Sequence, residues 1–495
     1  MSITSFPFLC LFGVILILYY LIPKKAQWGL LLTASLGYFL LSGEPWLAVY
    51  PVIALAVIYF SALYIHRVGG NSEEAAVLKK KRIVLALAVV FCVFLLCILK
   101  YMHFGLLAPI GISFYTLTLL GYLFDVYYEI SEAETNILKL GLFGYYFPTM
   151  ISGPILRYKD LKDELFGTHS FDYKKVTFGI QRMLWGFFKK LVISERMALI
   201  VNEVFGKPDT YGGFYILIGA IGFTFQLYTD FSGCMDIIIG ASETFGITLP
   251  ENFKTPFFAR NISEYWRRWH ITLGNWLKDF LFYPILRTSF FAGLPKKLKG
   301  KLGKKRAKQY TVFLAMLLLW STIGYWHGGA FKYIFGSGLL HWFYIVSGEL
   351  LEPVWAKLKK WFHIKEEAFG FVLFQRIRTF LLVALGLTFF RAADFPTGCK
   401  MVWRGMTEWN PEIFWNGSVF QLGLDWVELS IAVISLVLLL VVSTLQERYG
   451  SVRELLAKQH LLIRWIVLYA LLFYVILLGY YGPGYSASEF IYQGF

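Results

Sequence analysis

Residues 83–101 read IVLALAVVFCVFLLCILKY and follow directly on the basic run KKKR at 79–82. A helix needs about 20 apolar residues to cross the hydrocarbon layer of a bilayer, and this stretch has that length and composition. Ten further stretches resemble it, at 8–22, 28–42, 46–65, 106–127, 212–240, 311–327, 333–350, 371–390, 424–445 and 462–480. The sequence therefore predicts an all-α polytopic membrane protein with about eleven transmembrane helices.

The composition of the whole chain agrees with this class. Of its 495 residues, 57% are hydrophobic and only 16% are charged, whereas about 25% are charged in soluble domains. The formal charge of +15 comes from lysines and arginines between apolar stretches, as in the cytoplasmic loops of membrane proteins. We therefore predict contact with the lipid bilayer and no nucleic-acid partner. The five cysteines form no CxxC pair, so they predict neither a metal site nor a disulfide framework.

The basic residues also predict an orientation. The first apolar stretch lacks a basic segment before it and a small-residue cleavage site, so we interpret it as a retained helix. Lys24 and Lys25 follow that stretch, and the basic run at 79–82 follows two more spans. Because cytoplasmic loops are enriched in Lys and Arg, the N-terminus is predicted to lie outside a bacterial plasma membrane.

Three segments complicate the simple count of spans. The stretch 137–155 contains Pro148 and Pro154, and the stretch 174–205 mixes charged and apolar residues. Broken helices at membrane depth occur only inside protein or beside a water-filled cavity, so re-entrant or interfacial helices and a cavity are predicted. Eight basic residues at 295–308 either contact anionic headgroups or attract an anionic donor. To place them in the cytoplasm, one ambiguous stretch has to supply an extra crossing.

The usual signatures of soluble enzymes are missing from the sequence. It contains no GxxxxGK[ST] phosphate loop, GxSxG elbow, HExxH zinc helix or GxGxxG fingerprint. Of the eight histidines, His270, His327 and His341 lie in or beside unusual segments. We find no internal repeat and no soluble domain, so a single membrane domain over 1–495 is predicted.

The segment NISEYWRRWHITLGNWLKDFLFYPI at 261–285 carries the first of these histidines. Asn261 and Glu264 resemble a capping box, and we predict one helix of about six turns from there. Its tryptophans form an apolar stripe opposite a polar one, and His270 lies at the edge of the apolar stripe. Such a pattern is also typical of an interfacial amphipathic helix. This segment alone therefore does not indicate a function.

The segment WSTIGYWHGGA at 320–330 ends a strongly apolar run. A histidine within the bilayer is costly and is by default a functional candidate, although one that bonds across helices would serve structure alone. Gly324, Gly328 and Gly329 around His327 let a substrate or a backbone approach closely. His327 and His341 lack a nearby Cys or carboxylate that would complete a zinc site.

A third segment, 223–253, is apolar but interrupted by Asp230, Asp236 and Glu243. Intramembrane carboxylates mark an ion path, a buried pairing or a cavity wall. Because of these residues, a proton-coupled transporter is an alternative interpretation of the protein's function.

Seven stretches together resemble the membrane-bound O-acyltransferase superfamily, and within it the branch of the alginate O-acetyltransferase membrane subunit. They are PIGISFY at 109–115, FPTMISGPI at 147–155 with Arg157, YTDFSG at 228–233, LPENF at 249–253, EYWRRWHI at 264–271, WHG at 326–328 and FRA at 390–392. They occur in the family's order, and together they are far more specific than a lone WHG.

The resemblance implies a ring of membrane helices around a central funnel, with N-terminal helices at 1–104, a catalytic core at 105–405 and C-terminal helices at 406–495. It assigns His327 as the catalytic residue and His270 as the second important histidine. The acyl donor would be acetyl-CoA or another thioester from the cytoplasm. The acceptor outside would be a polysaccharide or a separate extracytoplasmic acyltransferase. Two departures, RTS at 287–289 in place of a Gly-Gly pair and the ending FIYQGF at 490–495, leave the acceptor open.

The implied reaction is acyl transfer from a thioester to a hydroxyl, with no metal and no permanently bound cofactor. We expect His327 to act as general base, and His270 to orient it or to serve as a second acid or base; an acyl-histidine intermediate is a further option. Trp326 and Asn275 are candidate donors to the thioester carbonyl. The remaining substrate-binding candidates are Arg268, Trp269, Asn252 and Asp230. The alternatives are a D-alanyl or other transferase with a carrier-protein donor, and a transporter or polysaccharide flippase without acyl chemistry.

Overall fold

The structure of the protein is a computed structural model that describes residues 1–69, 74–101 and 108–482. Its regular structure is helical, and within these ranges the only strand-like contact is an isolated antiparallel bridge between Phe253 and Trp269. The predicted all-helical class is therefore confirmed. His103 and the ending at 490–495 lie outside the described residues.

The helices fall into three groups along the chain. The N-terminal group contains α1 (Phe6–Leu21), α2 (Gln27–Ser42), α3 (Val49–Gly69) and α4 (Ala75–Tyr101). The central group contains α5 (Ile112–Tyr127), α6 (Ile137–Tyr145), α7 (Tyr158–Leu165), α8 (Tyr173–Phe187), α9 (Glu195–Gly206), α10 (Phe214–Thr244), α11 (Ile262–Arg268), α12 (Ile271–Leu277), α13 (Tyr283–Arg287), α14 (Ser289–Gly328), α15 (Phe331–Tyr333), α16 (Leu340–Leu350), α17 (Glu352–Trp361) and α18 (Phe369–Arg391). The C-terminal group contains α19 (Phe395–Thr407), α20 (Trp426–Tyr449), α21 (Val452–Ala457) and α22 (Leu461–Leu478).

Within the described ranges, six helical stretches are long and apolar enough to cross a membrane. They are Pro45–Val68, Ala75–Tyr101, Phe214–Thr244, Phe369–Arg391, Trp426–Tyr449 and Leu461–Leu478. A seventh is added if Phe331–Leu350 and Glu352–Trp361, bent by 55°, form one span. The predicted number of eleven is not confirmed. α1, α2 and α5 have only 16 residues each, and the stretch 311–327 lies in the apolar part of α14, which follows a kink at Gly303.

The two ambiguous stretches fold differently from each other. The stretch 174–205 is helical throughout, because a π-helical segment, Phe188–Ser194, joins α8 to α9. It packs closely on α10: a Cβ at Gly179 would lie 2.5 Å from the Gly240 carbonyl oxygen, and one at Gly186 would lie 2.5 Å from that of Gly233. Small residues at such positions let membrane helices approach closely. After α6, by contrast, the chain leaves the helix at Tyr146 and stays buried in protein, as broken structure at membrane depth requires.

The carboxylates that interrupt 223–253 are all paired with cations. Buried charges need such partners, because removing a lone charge from water is very costly. Buried pairing, one of the three interpretations of these residues, is therefore what the structure shows. The ion pairs are Lys190–Asp230 (2.6 Å), Lys190–Glu195 (2.8 Å), Lys189–Asp236 (2.5 Å), Arg182–Asp236 (2.9 Å) and Arg453–Glu243 (2.6 Å).

The prediction of one continuous helix over 261–285 is wrong. The structure divides it into α11, α12 and α13, with a π-helical segment, Lys278–Phe282, before α13. The main break is at His270, whose φ of 47° places it in the left-handed region. The capping interaction that begins this segment is confirmed, since the Asn261 side chain accepts a hydrogen bond from the Glu264 amide. Helical periodicity did not predict the break, because its cause lies in another segment of the chain.

Candidate active site

His327 lies in the last turn of α14 and is 4% exposed. The helix ends at Gly329, whose left-handed φ of 73° and amide bond to the Tyr325 carbonyl (2.9 Å) form a typical C-terminal cap. The glycines around His327 face protein backbone and an aromatic ring: a Cβ at Gly324 would lie 2.5 Å from the Ile334 Cα, and one at Gly328 would overlap the Tyr333 ring. Close packing against the following segment therefore explains these two glycines.

The backbone around His270 is held by the LPENF segment at 249–253. The Lys254 amide donates to the Arg268 carbonyl (2.9 Å), and the Ile271 amide donates to the Asn252 carbonyl (3.0 Å). These two bonds flank the bridge between Phe253 and Trp269. An extended pairing cannot continue as a helix, so the chain turns at His270 through a left-handed conformation that is strained for a residue with a Cβ.

The Asn252 side chain organises the same turn. Its Oδ1 accepts hydrogen bonds from the Thr272 amide (3.1 Å) and the Thr272 hydroxyl (2.9 Å), and it lies 3.2 Å from His270 Nδ1. A carboxamide oxygen only accepts, so this contact requires a proton on Nδ1 and favours the neutral tautomer whose Nε2 carries a lone pair. Asn252 is completely buried. The geometry thus gives Asn252, predicted as a substrate-binding residue, the role of orienting His270.

Aromatic rings bring the two histidines together around Trp326. The Trp326 ring centroid lies 6.2 Å from that of His270 and 5.1 Å from that of His327. Phe114 stacks on His270 at 6.4 Å and meets Trp326 edge-on at 6.0 Å. These rings surround both imidazoles, which are buried in an apolar environment where hydrogen bonds are stronger than in water.

All seven resembling stretches contribute to this centre: two carry the histidines, and the other five contact the histidines or Thr272 beside them. The contacts from outside the two histidine stretches are Phe114 on His270, Ile155 N–H to the Thr272 hydroxyl (3.0 Å), Phe231 on His270 (4.9 Å), Asn252 on His270 and Phe390 on His327 (5.4 Å). The motifs are therefore scattered in sequence and adjacent in space. Phe114, Phe231 and Phe390 were not predicted as site residues, although each lies in a motif that was quoted.

The other predicted binding residues lie around the centre rather than in it. Arg268 binds Glu447 (2.6 Å) and Glu264 (2.9 Å), and Trp269 is buried against Phe253. Asn275 is exposed and its Oδ1 accepts a hydrogen bond from Lys278 (3.4 Å). Asp230 is buried in its ion pair with Lys190, next to Phe231 in the chain.

Trp326 differs from these residues in its available donor. Its indole Nε1 is buried and has no hydrogen-bond partner among the described residues. Buried polar groups without a partner are uncommon and call for an explanation. This N–H is therefore the best-placed donor for a ligand carbonyl among the predicted binding residues. Within the same described ranges, no three His, Cys, Asp or Glu side chains come close enough to hold a metal ion.

The chain is also similar in sequence to a known family and to several known proteins. Residues 131–390 match the membrane-bound O-acyltransferase (MBOAT) family. The chain is 31% identical to the probable alginate O-acetylase AlgI of Pseudomonas aeruginosa, over 81% of this chain and 74% of that protein. It is 28% identical to a peptidoglycan O-acetyltransferase of Helicobacter pylori, over 71% and 68%.

A third relative, the probable alginate O-acetylase AlgI of Pseudomonas syringae, is 34% identical over 60% of this chain. That match spans only 51%, about half, of the relative's length. The family match covers more than half of the present chain and includes both histidines, the Asn252 turn and Phe390. The alginate-branch resemblance of the motifs is thereby confirmed, and the chain belongs to the membrane-bound O-acyltransferase family.

Proposed function

We propose that this integral membrane O-acyltransferase takes an acetyl group from cytoplasmic acetyl-CoA and transfers it across the membrane for O-acetylation of a cell-surface polysaccharide. The main support for this proposal is that the Trp326 ring contacts the imidazoles of both His270 and His327, inside a group of aromatic rings from the family motifs. By their names, two of the relatives above are probable alginate O-acetylases and one is a peptidoglycan O-acetyltransferase. We extend that substrate class, and a bacterial plasma membrane, to the present chain.

In this proposal His327 is the general base. A thioester is already activated, so transfer requires removal of the acceptor's hydroxyl proton and stabilisation of the tetrahedral oxyanion. His327 takes the proton while the hydroxyl oxygen bonds to the acyl carbon. The C–S bond then breaks, and the proton passes to the leaving thiolate. The Trp326 N–H is assigned to the oxyanion, and His270 orients the centre or acts as a second acid or base.

The positions of the basic residues support a cytoplasmic donor. α4 begins beside the basic run at 79–82 and ends at Tyr101, whose hydroxyl donates to the Trp326 carbonyl (2.8 Å). α14 likewise carries basic residues in its first part, up to and just beyond a kink at Gly303, and its apolar part ends at the WHG motif. By the positive-inside rule both starts are cytoplasmic, so we place the end of α14 toward the acceptor and the N-terminus outside. The basic segment of α14 is then on the side where an anionic donor arrives.

The first test is transfer by the purified protein in detergent. We expect it to release free CoA thiol from acetyl-CoA, by hydrolysis or by transfer to an added polysaccharide. The natural outer partner, a polysaccharide or a separate extracytoplasmic acyltransferase, is to be sought by mass spectrometry of envelope polymers from a strain that lacks the protein. Intact acetyl-CoA together with turnover of an acyl-carrier thioester would favour the D-alanyl-type donor. No turnover of either thioester would favour a transporter or flippase.

Replacement of Asn252 by alanine tests the orientation of His270. The variant removes the acceptor of the Thr272 amide and hydroxyl and the contact at His270 Nδ1. Because small misplacements of catalytic groups are costly, we expect kcat to fall by about 10- to 100-fold, while the KM for the donor stays unchanged. Asn416→Ala, at an exposed loop position, is the matched control and should retain wild-type kcat. A normal kcat in folded Asn252→Ala would remove this role.

A further inference from the structure

Lys100 lies at the end of α4 and faces the end of α14. Its Nζ donates to the Trp326 carbonyl oxygen at 2.8 Å and to the Ser113 hydroxyl at 3.2 Å. The Tyr101 hydroxyl donates to the same carbonyl at 2.8 Å. The ammonium also lies 5.1 Å from the centroid of the Trp326 ring. One cation thus connects α4, α5 and the residue immediately before His327.

The surroundings of this lysine are unusual for a membrane helix. α4 is the most apolar of the candidate spans, with a mean hydropathy of 3.1. A lysine near the end of such a helix ordinarily extends toward the lipid headgroups. Lys100 is half-buried and turns inward instead, and no described carboxylate forms an ion pair with it. Its partners are a backbone carbonyl and a hydroxyl, both on elements that form the active centre.

The Trp326 carbonyl is one of the last four in α14. Such carbonyls have no amide partner within their own helix, and they form the negative end of the helix dipole. The Gly329 amide donates a hydrogen bond to the Tyr325 carbonyl. The Lys100 ammonium and the Tyr101 hydroxyl donate to the Trp326 carbonyl. A cation at this end is electrostatically favourable. Two side chains from α4 therefore cap the helix at the turn that carries His327.

We propose that Lys100 is a positioning residue for acyl transfer, which holds the last turn of α14 and thereby the His327 imidazole and the Trp326 N–H. This inference rests on the proposed function, in which His327 is the general base. Lys100 forms no covalent bond to the acyl group and moves no proton in the reaction. Its charge is required because a neutral side chain of the same size cannot bind the carbonyl and the helix end equally well.

The test separates the effect of side-chain charge at position 100 from the effect of side-chain size. It uses full-length protein purified in detergent, with acetyl-CoA as donor. In Lys100→Cys we expect kcat to fall by about 10- to 100-fold, with the KM for acetyl-CoA unchanged. Aminoethyl methanethiosulfonate attaches an ethylammonium to the introduced sulfur through a disulfide, with release of methanesulfinate. Propyl methanethiosulfonate attaches a neutral chain of the same length. Once intact mass confirms each adduct, the ammonium adduct should restore most of kcat and the propyl adduct should not.

Three controls belong to this test. Wild type receives both reagents, because Cys10 and Cys399 are exposed. Lys80→Met removes a cation from the exposed, opposite end of α4 and should leave kcat unchanged. If position 100 does not tolerate cysteine, Tyr101→Phe removes the second donor to the same carbonyl, and we expect about fivefold lower kcat, since one net hydrogen bond is lost.

Two outcomes would overturn the role of Lys100. One is a wild-type kcat in folded Lys100→Cys or in Tyr101→Phe, and the other is equal rescue by the charged and neutral adducts. The proposed function fails separately, if wild type does not turn over acetyl-CoA or if His327→Ala retains turnover.

Discussion

His327→Ala is expected to abolish acyl transfer while the protein still folds. General base catalysis by a positioned histidine contributes about 10²- to 10⁴-fold, so the loss of kcat should be at least of that order. The side chain lies beside the Trp326 and Phe390 rings, so its removal should disturb packing only locally. Thiol release from acetyl-CoA measures the activity, and size-exclusion elution and thermal midpoint in detergent measure folding.

The matched control for this variant is His363→Ala. His363 is exposed in the turn after α17, so its removal should leave kcat unchanged. Loss of activity in both variants would indicate damage to the fold. Retained turnover in His327→Ala would remove the central claim, because no other residue has been assigned as the base for the acceptor hydroxyl.

Lys190→Met is expected to lower the free energy of unfolding more than any other substitution proposed for this protein. Lys190 Nζ lies 2.6 Å from Asp230 and 2.8 Å from Glu195, and all three side chains are at most 3% exposed. Methionine fills a similar volume but leaves two carboxylates buried beside each other without their cation. Breaking a buried pair from one side costs about 3–5 kcal/mol, so the free energy of unfolding should fall by at least that amount. Unfolding in SDS or thermal aggregation in detergent measures the change.

Lys207→Met is the matched control for stability. Lys207 pairs with Glu203 one helical turn earlier, and its own side chain is 57% exposed. Exposed pairs contribute about 0.2–1 kcal/mol, because solvent screens them and the side chains lose entropy. An equal effect of both lysine variants would mean that the buried cluster around Lys190 is not a stability determinant.

Much of the fold class followed from the sequence because burial in lipid demands apolar helices, which composition and run length display directly. The exact number of spans did not follow. α1 and α5 are apolar but short, and α14 has a kink at Gly303, where the backbone is not helical, between its basic part and its apolar part. The length of an apolar stretch is a local property, whereas packing against neighbouring helices decides how long the helix is.

The segment 261–285 shows the same limit more sharply. Its periodicity predicted one helix, and the N-terminal cap at Asn261 was correctly located. The break at His270 depends on backbone bonds from 252–254, which no local pattern can contain. Asp230 and Asp236 were likewise recognised as unusual, but only the positions of Lys189 and Lys190 on a neighbouring helix identified them as buried ion pairs.

The membrane class, the family resemblance and the two candidate histidines could be predicted without the structure, because hydropathy and motif order are properties of the linear chain. Three features could be seen only in the folded protein: Asn252 holds the turn at His270, the Trp326 ring contacts both imidazoles, and Lys100 caps the helix of His327. Except for Trp326 and His327, which are neighbours in α14, these contacts join residues from different helices or loops. Their distances are set by packing, and packing is a property of all the segments together.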